Sequence, residues 1–236
     1  MSRPEVADPF RPDEAEPGAG SERASGGAWP TSLAVTVASV LDRPPVALRL
    51  LDAARSCVLD RGVSRLTMSD VARRADVSRT TLYRHYPDVE AVLRDLMTHD
   101  FGGLALRQAE ASAGLPTSRE RIVHTAIGCC RALRADPLFR KVLDVDPEAL
   151  LPYLTARPGV SQRMMLELAQ GALTAGQADG SVREGDTTTL ARLLVLQAQA
   201  LTVSIGVVTD DDPSVEAALL DATAVALDAQ LRPPGT

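Results

Sequence analysis

The chain has 236 residues and a formal net charge of −6, with 45% hydrophobic, 24% charged and only 3% aromatic residues. That length allows one large domain or two small ones, and the scarcity of aromatic and β-branched runs predicts an all-α fold around an aliphatic core of Leu, Val and Ala. No apolar run reaches about 18 residues free of charge, and no basic stretch leads into an apolar one at the N-terminus, so a membrane span and a signal peptide are both excluded.

Residues 1–44 are rich in Pro, Gly, Ala, Ser and acids and are expected to be a disordered tail, because they cannot bury enough surface to offset their ordering entropy. The apolar run 33–41 either packs on the body or stays mobile. Order is expected from Asp42. Pro44 and Pro45 suit a first helical turn, and Val46, Leu50, Leu51, Ala54, Cys57 and Val58 recur at helical spacing up to a stop at Gly62. Thr67 and Asp70 form a capping-box-like start to a second helix, whose face of Val71, Ala72 and Ala75 is small. Asp76 and Val77 make a turn. Ser78 caps a short third helix, Arg79 to Tyr86, ended by Pro87. Asp88 caps a fourth helix running to about Phe101.

Further helices are predicted at 118–135, in one or two short pieces over 137–156 broken by Pro147 and Pro152, and at 159–177, 186–208 and 213–231. Gly176, Gly180 and Gly185 lie in or near a turn. Segment 186–208 is apolar on more than one face and must be buried in the core or against a second subunit. The last helix carries a stripe of Val215, Ala218, Leu219, Ala222, Val225, Ala226 and Ala229. The expected division is therefore a tail (1–44), a helix-turn-helix domain (45–90) and a larger helical domain (91–232).

Charge is not evenly spread. Residues 61–86 hold six arginines against Asp70 and Asp76, a basic island in an acidic chain. A solvated helix face would explain that alone; contact with a polyanion would too. The third helix presents Arg79, Thr80, Thr81, Tyr83, Arg84 and His85, side chains that bond phosphates and base edges. Arg79 is placed to reach a guanine edge in the major groove, with Thr80 beside it. Ser78, Thr81, Tyr83 and His85 suit phosphate, helped by free N–H groups at the helix start.

Residues 49–96 resemble the DNA-binding region of the tetracycline-repressor (TetR) family of bacterial regulators. Leu51-Asp52-Ala53-Ala54 with Gly62, the run Thr67 to Ala75, and the string from Asp76 to Tyr86 carry the likeness, most specifically Val77 to His85. Two departures stand out. Asp76 replaces the usual turn glycine, and Asp tolerates the left-handed conformation at modest cost. Val89 replaces a common lysine, which removes one phosphate contact and shifts weight to Arg84 or the N-terminal segment. The resemblance implies DNA contacts from Ser78, Arg79, Thr80, Thr81, Tyr83, Arg84, His85 and Thr67. It also implies a homodimer through 186–208 and 213–231, a pseudo-palindromic double-stranded operator, and an unknown small-molecule effector bound among the C-terminal helices.

Candidate effector contacts are His124, Phe139, Tyr153, Met164, Met165 and Gln197, with Gln199 and Thr202 behind them. Core packing is the competing reading for the methionines. With few aromatics beyond residue 104, a mostly aliphatic ligand is expected. His124 lies five and six residues from Cys129 and Cys130, poor geometry for a metal site, so no metal and no cofactor are expected. Cys57, Cys129 and Cys130 are an odd number, which points to a reducing, cytoplasmic setting. No phosphate loop, paired-His motif or nucleophile elbow is present, so an enzyme is not expected. The expected function is a ligand-responsive repressor. The alternative is a DNA-binding adaptor of the same fold that recruits a protein and senses no small molecule.

Overall fold

The computed structural model describes residues 42–150 and 160–235. The tail up to Leu41, the apolar run within it, Pro152 and Tyr153 lie outside the described residues. Nine α-helices and no strand are found among those described: α1 Pro45–Arg61, α2 Met68–Arg74, α3 Arg79–His85, α4 Val89–Ser112, α5 Ser118–Ala135, α6 Pro137–Val145, α7 Val160–Ala178, α8 Thr187–Thr209 and α9 Pro213–Leu231, with a 3-10 turn at Pro147–Leu150.

Side-chain caps set most of the starts. Thr67, Ser78, Asp88, Thr117, Asp136, Asp186 and Asp212 each accept from a backbone N–H of the first turn. Thr117 and Glu120 form a reciprocal capping box. One helix differs from expectation. α4 does not end near Phe101 but runs through Gly102 and Gly103 to Ser112. Two glycines weaken a helix by roughly 1 kcal/mol each relative to alanine, but burial of Leu104, Ala105 and Ala109 beyond them outweighs that cost.

Two main hydrophobic cores are found among the described residues, with a small cluster of Leu104, Ala105 and Cys129 where α4 meets α5. The first joins α1, α2 and α3 to the N-terminal half of α4 and to α6, with Leu50, Val58, Val71, Leu82, Leu96 and Leu138 wholly enclosed. Its ordered framework begins at Arg43, inside the stretch read as tail: the Arg43 guanidinium donates to both Asp95 oxygens, at 2.6 to 3.1 Å. The second core lies among α5, α7, α8 and α9, around Ile122, Leu173, Leu190, Ile205, Leu220 and Leu231.

Most of the apolar stripe foreseen on α9 faces outward, although Leu219 packs against the second core. Leu220, Leu227 and Leu231 turn inward instead, while Val215, Ala222, Val225, Ala226 and Ala229 stay exposed, Val225 by 70%. α8 likewise buries Leu190, Leu194 and Ile205 and leaves Leu196 63% and Val207 80% exposed. α8 is long and apolar enough to cross a bilayer by length and composition, with 33% of its most apolar window buried. It packs on α5, α7 and α9.

Candidate nucleic-acid interface and effector cavity

α2 and α3 form the helix-turn-helix. Thr67 Oγ1 accepts from the Asp70 amide at 3.1 Å and donates to Asp70 Oδ2 at 2.8 Å. The Thr67 hydroxyl, joined by Arg61 and Arg73, holds the Asp70 carboxyl below its usual range against the opposing effect of desolvation. At the other end of α2, the Val77 amide donates to Ala72 O at 3.0 Å and the Asp76 amide to Arg73 O at 3.4 Å. That is a Schellman closure, with Asp76 left-handed at φ 52°. The aspartate therefore does the turn glycine's work, as the sequence suggested.

α3 is held from beneath by Leu82, which is fully buried. Its far end is pinned by Tyr86, whose hydroxyl donates to Asp95 Oδ2 at 2.6 Å. Burial and the neighbouring carboxylate push the Tyr86 phenol well above its ordinary value. Burial pushes Asp95 upward as well, but the hydrogen bonds from Arg43 and Tyr86 outweigh it and hold the carboxyl low. The chain Arg43–Asp95–Tyr86 thus fixes the angle of α3 against α4.

The outward side of α3 carries Arg79, Thr80, Tyr83, Arg84 and His85, all exposed, Tyr83 by 54%. Ser78 and Thr81 are bonded to each other: Ser78 Oγ accepts from the Thr81 amide at 3.1 Å, and the two hydroxyls lie 2.9 Å apart. Their first task is the cap. Thr67 is exposed at the start of α2.

The basic island sorts into two sets. Arg61 and Arg73 pair with Asp70 at 3.3 and 2.6 Å, and Arg74 with Asp60 at 2.5 Å. Arg65, Arg79 and Arg84 are exposed and make no ion pair among the described residues. Sequence reasoning passed over Arg65. Its signal was its place two residues before a helix cap, in a segment with no acid between Arg61 and Asp70.

In the larger domain, α4, α5, α7 and α8 line a partly open cavity of about 80 Å³. Its wall is aliphatic: Ala105, Ala109, Ile122, Ala126, Met165, Leu168, Ala169, Ala172, Leu194, Val195 and Ala198, with Thr125 and Cys129. The Thr125 hydroxyl is 2.9 Å from Ser112 Oγ. Burial, and then its neighbour Cys130, push the Cys129 thiol up to about 12, so almost no thiolate forms at neutral pH. Cys57, Cys129 and Cys130 are all free and buried.

The candidate effector residues scatter. Met165 lines the cavity, whereas Met164 lies in the core beside it. Phe139 does not reach the cavity. It packs into the first core, edge-on to Phe101 with ring centroids 5.8 Å apart, because α6 folds back on α1. His124 opens instead on a groove between α5 and α9 shared with Arg131, Asp221 and Asp228. Gln197 donates to Gln230 Oε1 at 2.9 Å and is absent from the cavity wall. Tyr153 lies outside the described residues. Sequence reasoning missed the alanines, which give no signal until four helices meet.

Residues 50–96 match the family described as bacterial regulatory proteins, tetR family. An uncharacterized HTH-type transcriptional regulator of Mycobacterium bovis is 36% identical over 167 residues, 71% of this chain and 85% of that protein. The fatty acid metabolism regulator protein of Bacillus subtilis is 23% identical over 166 residues, 70% of this chain and 86% of its own. A crystal structure of the transcriptional regulator FadR from Bacillus subtilis in complex with stearoyl-CoA aligns with a TM-score of 0.58 at 18% identity, covering 78% of this chain and 99% of that one. With an all-helical fold, a helix-turn-helix presenting unpaired arginines and a relative of this similarity across most of its length, the chain belongs to the tetR family of bacterial regulatory proteins, a DNA-binding transcriptional regulator.

Proposed function

We propose that the protein is a homodimeric repressor that reads a pseudo-palindromic operator and releases it on binding an aliphatic effector, acting in the cytoplasm and without enzymatic activity. The observation that carries the DNA half is the outward face of α3, where Arg79 and Arg84 stand exposed and unpaired while neighbouring arginines are neutralised. Arg79, Thr80 and Tyr83 are the leading candidates for base and phosphate contact, followed by Arg84, His85, Ser78, Thr81 and Thr67. One short helix binds weakly; two on a dyad read two half-sites. The exposed apolar faces of α8 and α9, with Leu196, Val207, Val208 and Val225, support a second copy as what covers them. On this reading the functional units are those of the sequence, 45–90 for DNA and 91–232 for effector and partner, preceded by a tail of 1–44.

The cavity favours a sensor over an adaptor. Its wall holds no charge, which suits an apolar chain, and the Bacillus subtilis neighbour was crystallised with stearoyl-CoA. At about 80 Å³ it is smaller than ordinary ligand sites. An effector must therefore part the helices, and that expansion gives it different affinities for two conformers.

The test is fluorescence anisotropy on the DNA flanking the gene, over a salt series, with random DNA as control. Tight, selective and salt-sensitive binding is expected, weakened by long-chain aliphatic compounds. Selective release by planar aromatic cations alone would overturn the aliphatic assignment. Binding no tighter than to random DNA would overturn the operator assignment.

A further inference from the structure

The loop joining α1 to α2 is held by the end of α6, 82 to 83 residues further along the chain. Asp146 ends α6, and its carboxylate is buried against that loop. Oδ2 accepts from the Val63 amide at 2.6 Å and Oδ1 from the Ser64 amide at 3.4 Å. The loop is shaped to receive it. Gly62 leaves α1 with φ 88°, and a Cβ there would stand 2.5 Å from Asp146 Oδ2, so only glycine permits the approach. The Leu66 amide then donates to Val63 O at 3.0 Å, closing a turn whose two central residues are Ser64 and Arg65. Leu66 is buried in the first core on the far side. The backbone of Arg65 is thus gripped on one flank by a carboxylate and on the other by an apolar anchor, while its side chain is exposed and unpaired.

We infer that Asp146 is a positioning residue for DNA binding, holding the Val63–Leu66 turn in the form that presents Arg65 to a backbone phosphate. The inference rests on the DNA-binding reading above and adds to it a contact outside the helix-turn-helix, held in place by the end of α6. A carboxylate suits this work because it is acceptor-only and can take two successive amides, one on each oxygen. Asparagine would keep one acceptor and set its own NH2 against the second amide. The Ser64 hydroxyl has the largest influence and, joined by the two amides and Lys141, outweighs desolvation and holds the Asp146 carboxyl low, so the grip is charged at neutral pH.

The test is a double-mutant cycle between Asp146 and Arg65 in the full chain. Binding is read by anisotropy on two labelled duplexes, the DNA flanking the gene and a random sequence, from 50 to 200 mM salt. Each lost phosphate contact removes about 0.9 from the slope of log affinity against log salt, roughly a 3.5-fold smaller loss of affinity across that range. With one Arg65 in each half of the dimer, Arg65→Ala and Asp146→Ala are each expected to lower the slope by twice that amount, about 1.8, on both duplexes, the double variant no further, and Asp146→Asn to fall between. A merely structural Asp146 would behave otherwise: Asp146→Ala would lower the melting temperature, yet Arg65→Ala would still remove its full share of slope in that background. That result overturns the inference, as does an unchanged slope in Arg65→Ala itself. Should Asp146→Ala fail to fold, the cycle is closed with Asp146→Asn. Loss of selectivity for the flanking DNA in the parent protein would instead count against the operator, while the slopes on random DNA still decide the role of Asp146.

Discussion

The two cores of this molecule are closed in different ways. Around the first, polar side chains seal every seam that positions α3: Arg43 and Tyr86 on Asp95, Arg55 on Asp100 and Asp136, and Asp146 on the α1–α2 loop. Around the second, ion pairs cross between helices too, Arg119 with Asp228 and Arg134 with Asp211 and Glu216, but the helices leave a cavity lined largely by alanine and turn an apolar face outward. The difference follows from what each part must do. A reading head must hold its side chains to within a fraction of an ångström, so its orientation is over-determined. A sensing domain must have a second arrangement within reach, and small side chains with unfilled volume lower the cost of reaching it.

The sharpest way to break the comparison is Leu82→Ala. Leu82 is fully enclosed, and its truncation is expected to cost about 3 kcal/mol, read by urea denaturation, with DNA binding lost alongside. A cost below about 1 kcal/mol would mean that the first core is as yielding as the second. Next, Arg79→Ala should weaken operator binding by about 1–3 kcal/mol and relax preference at one base position. Equal loss on specific and random DNA would reduce Arg79 to a phosphate clamp.

The polar seam predicts a pH window for the first core. Asp95 has a lowered pKa in the folded chain, so its contribution is complete above the unfolded value near 3.8 and fades as pH falls through the folded value. Tyr86 has a raised pKa, so its contribution is complete below the unfolded value near 10.0 and fades as pH rises toward the folded one. Between those limits Asp95→Asn should cost about 2 kcal/mol, and the cost should shrink in acid. Melting curves from pH 3 to 7 test this, and a penalty independent of pH would remove Asp95 from the seam. The smallest effect is expected in the cavity. Ala126→Leu should change stability by less than about 1.5 kcal/mol while abolishing the response to effector, since it fills space without disturbing a packed wall. A loss of several kcal/mol would show that the second core is as tightly specified as the first.

Much of the reading head was legible in the chain because its signals are local. Thr67, Ser78 and Asp88 cap helices through amides three residues away. Asp76 makes its turn from its own backbone, and Pro87 stops α3. The inward and outward sides of α3 follow from the helical period once Leu82 is buried. Elsewhere local signals misled. The fourth helix, expected to end at about Phe101, runs on through Gly102 and Gly103 because contacts from distant helices carry it through.

Sequence spacing also showed that α9 has an apolar stripe, and could not show which side of the helix would face its own core. Leu220, Leu227 and Leu231 took the inside, and most of the stripe was left outside. Phe139, His124 and Gln197 could be named as polar or aromatic groups on the right helices, but the folding-back of α6 and the rotation of α5 and α8 sent each elsewhere. The amino-acid order settles capping, turns and helical period, because those energies act over four residues or fewer. The cavity among alanines, the partners of Asp95 and the grip of Asp146 on a loop 82 residues away depend on which helices meet, and that is decided by burial summed over the whole chain.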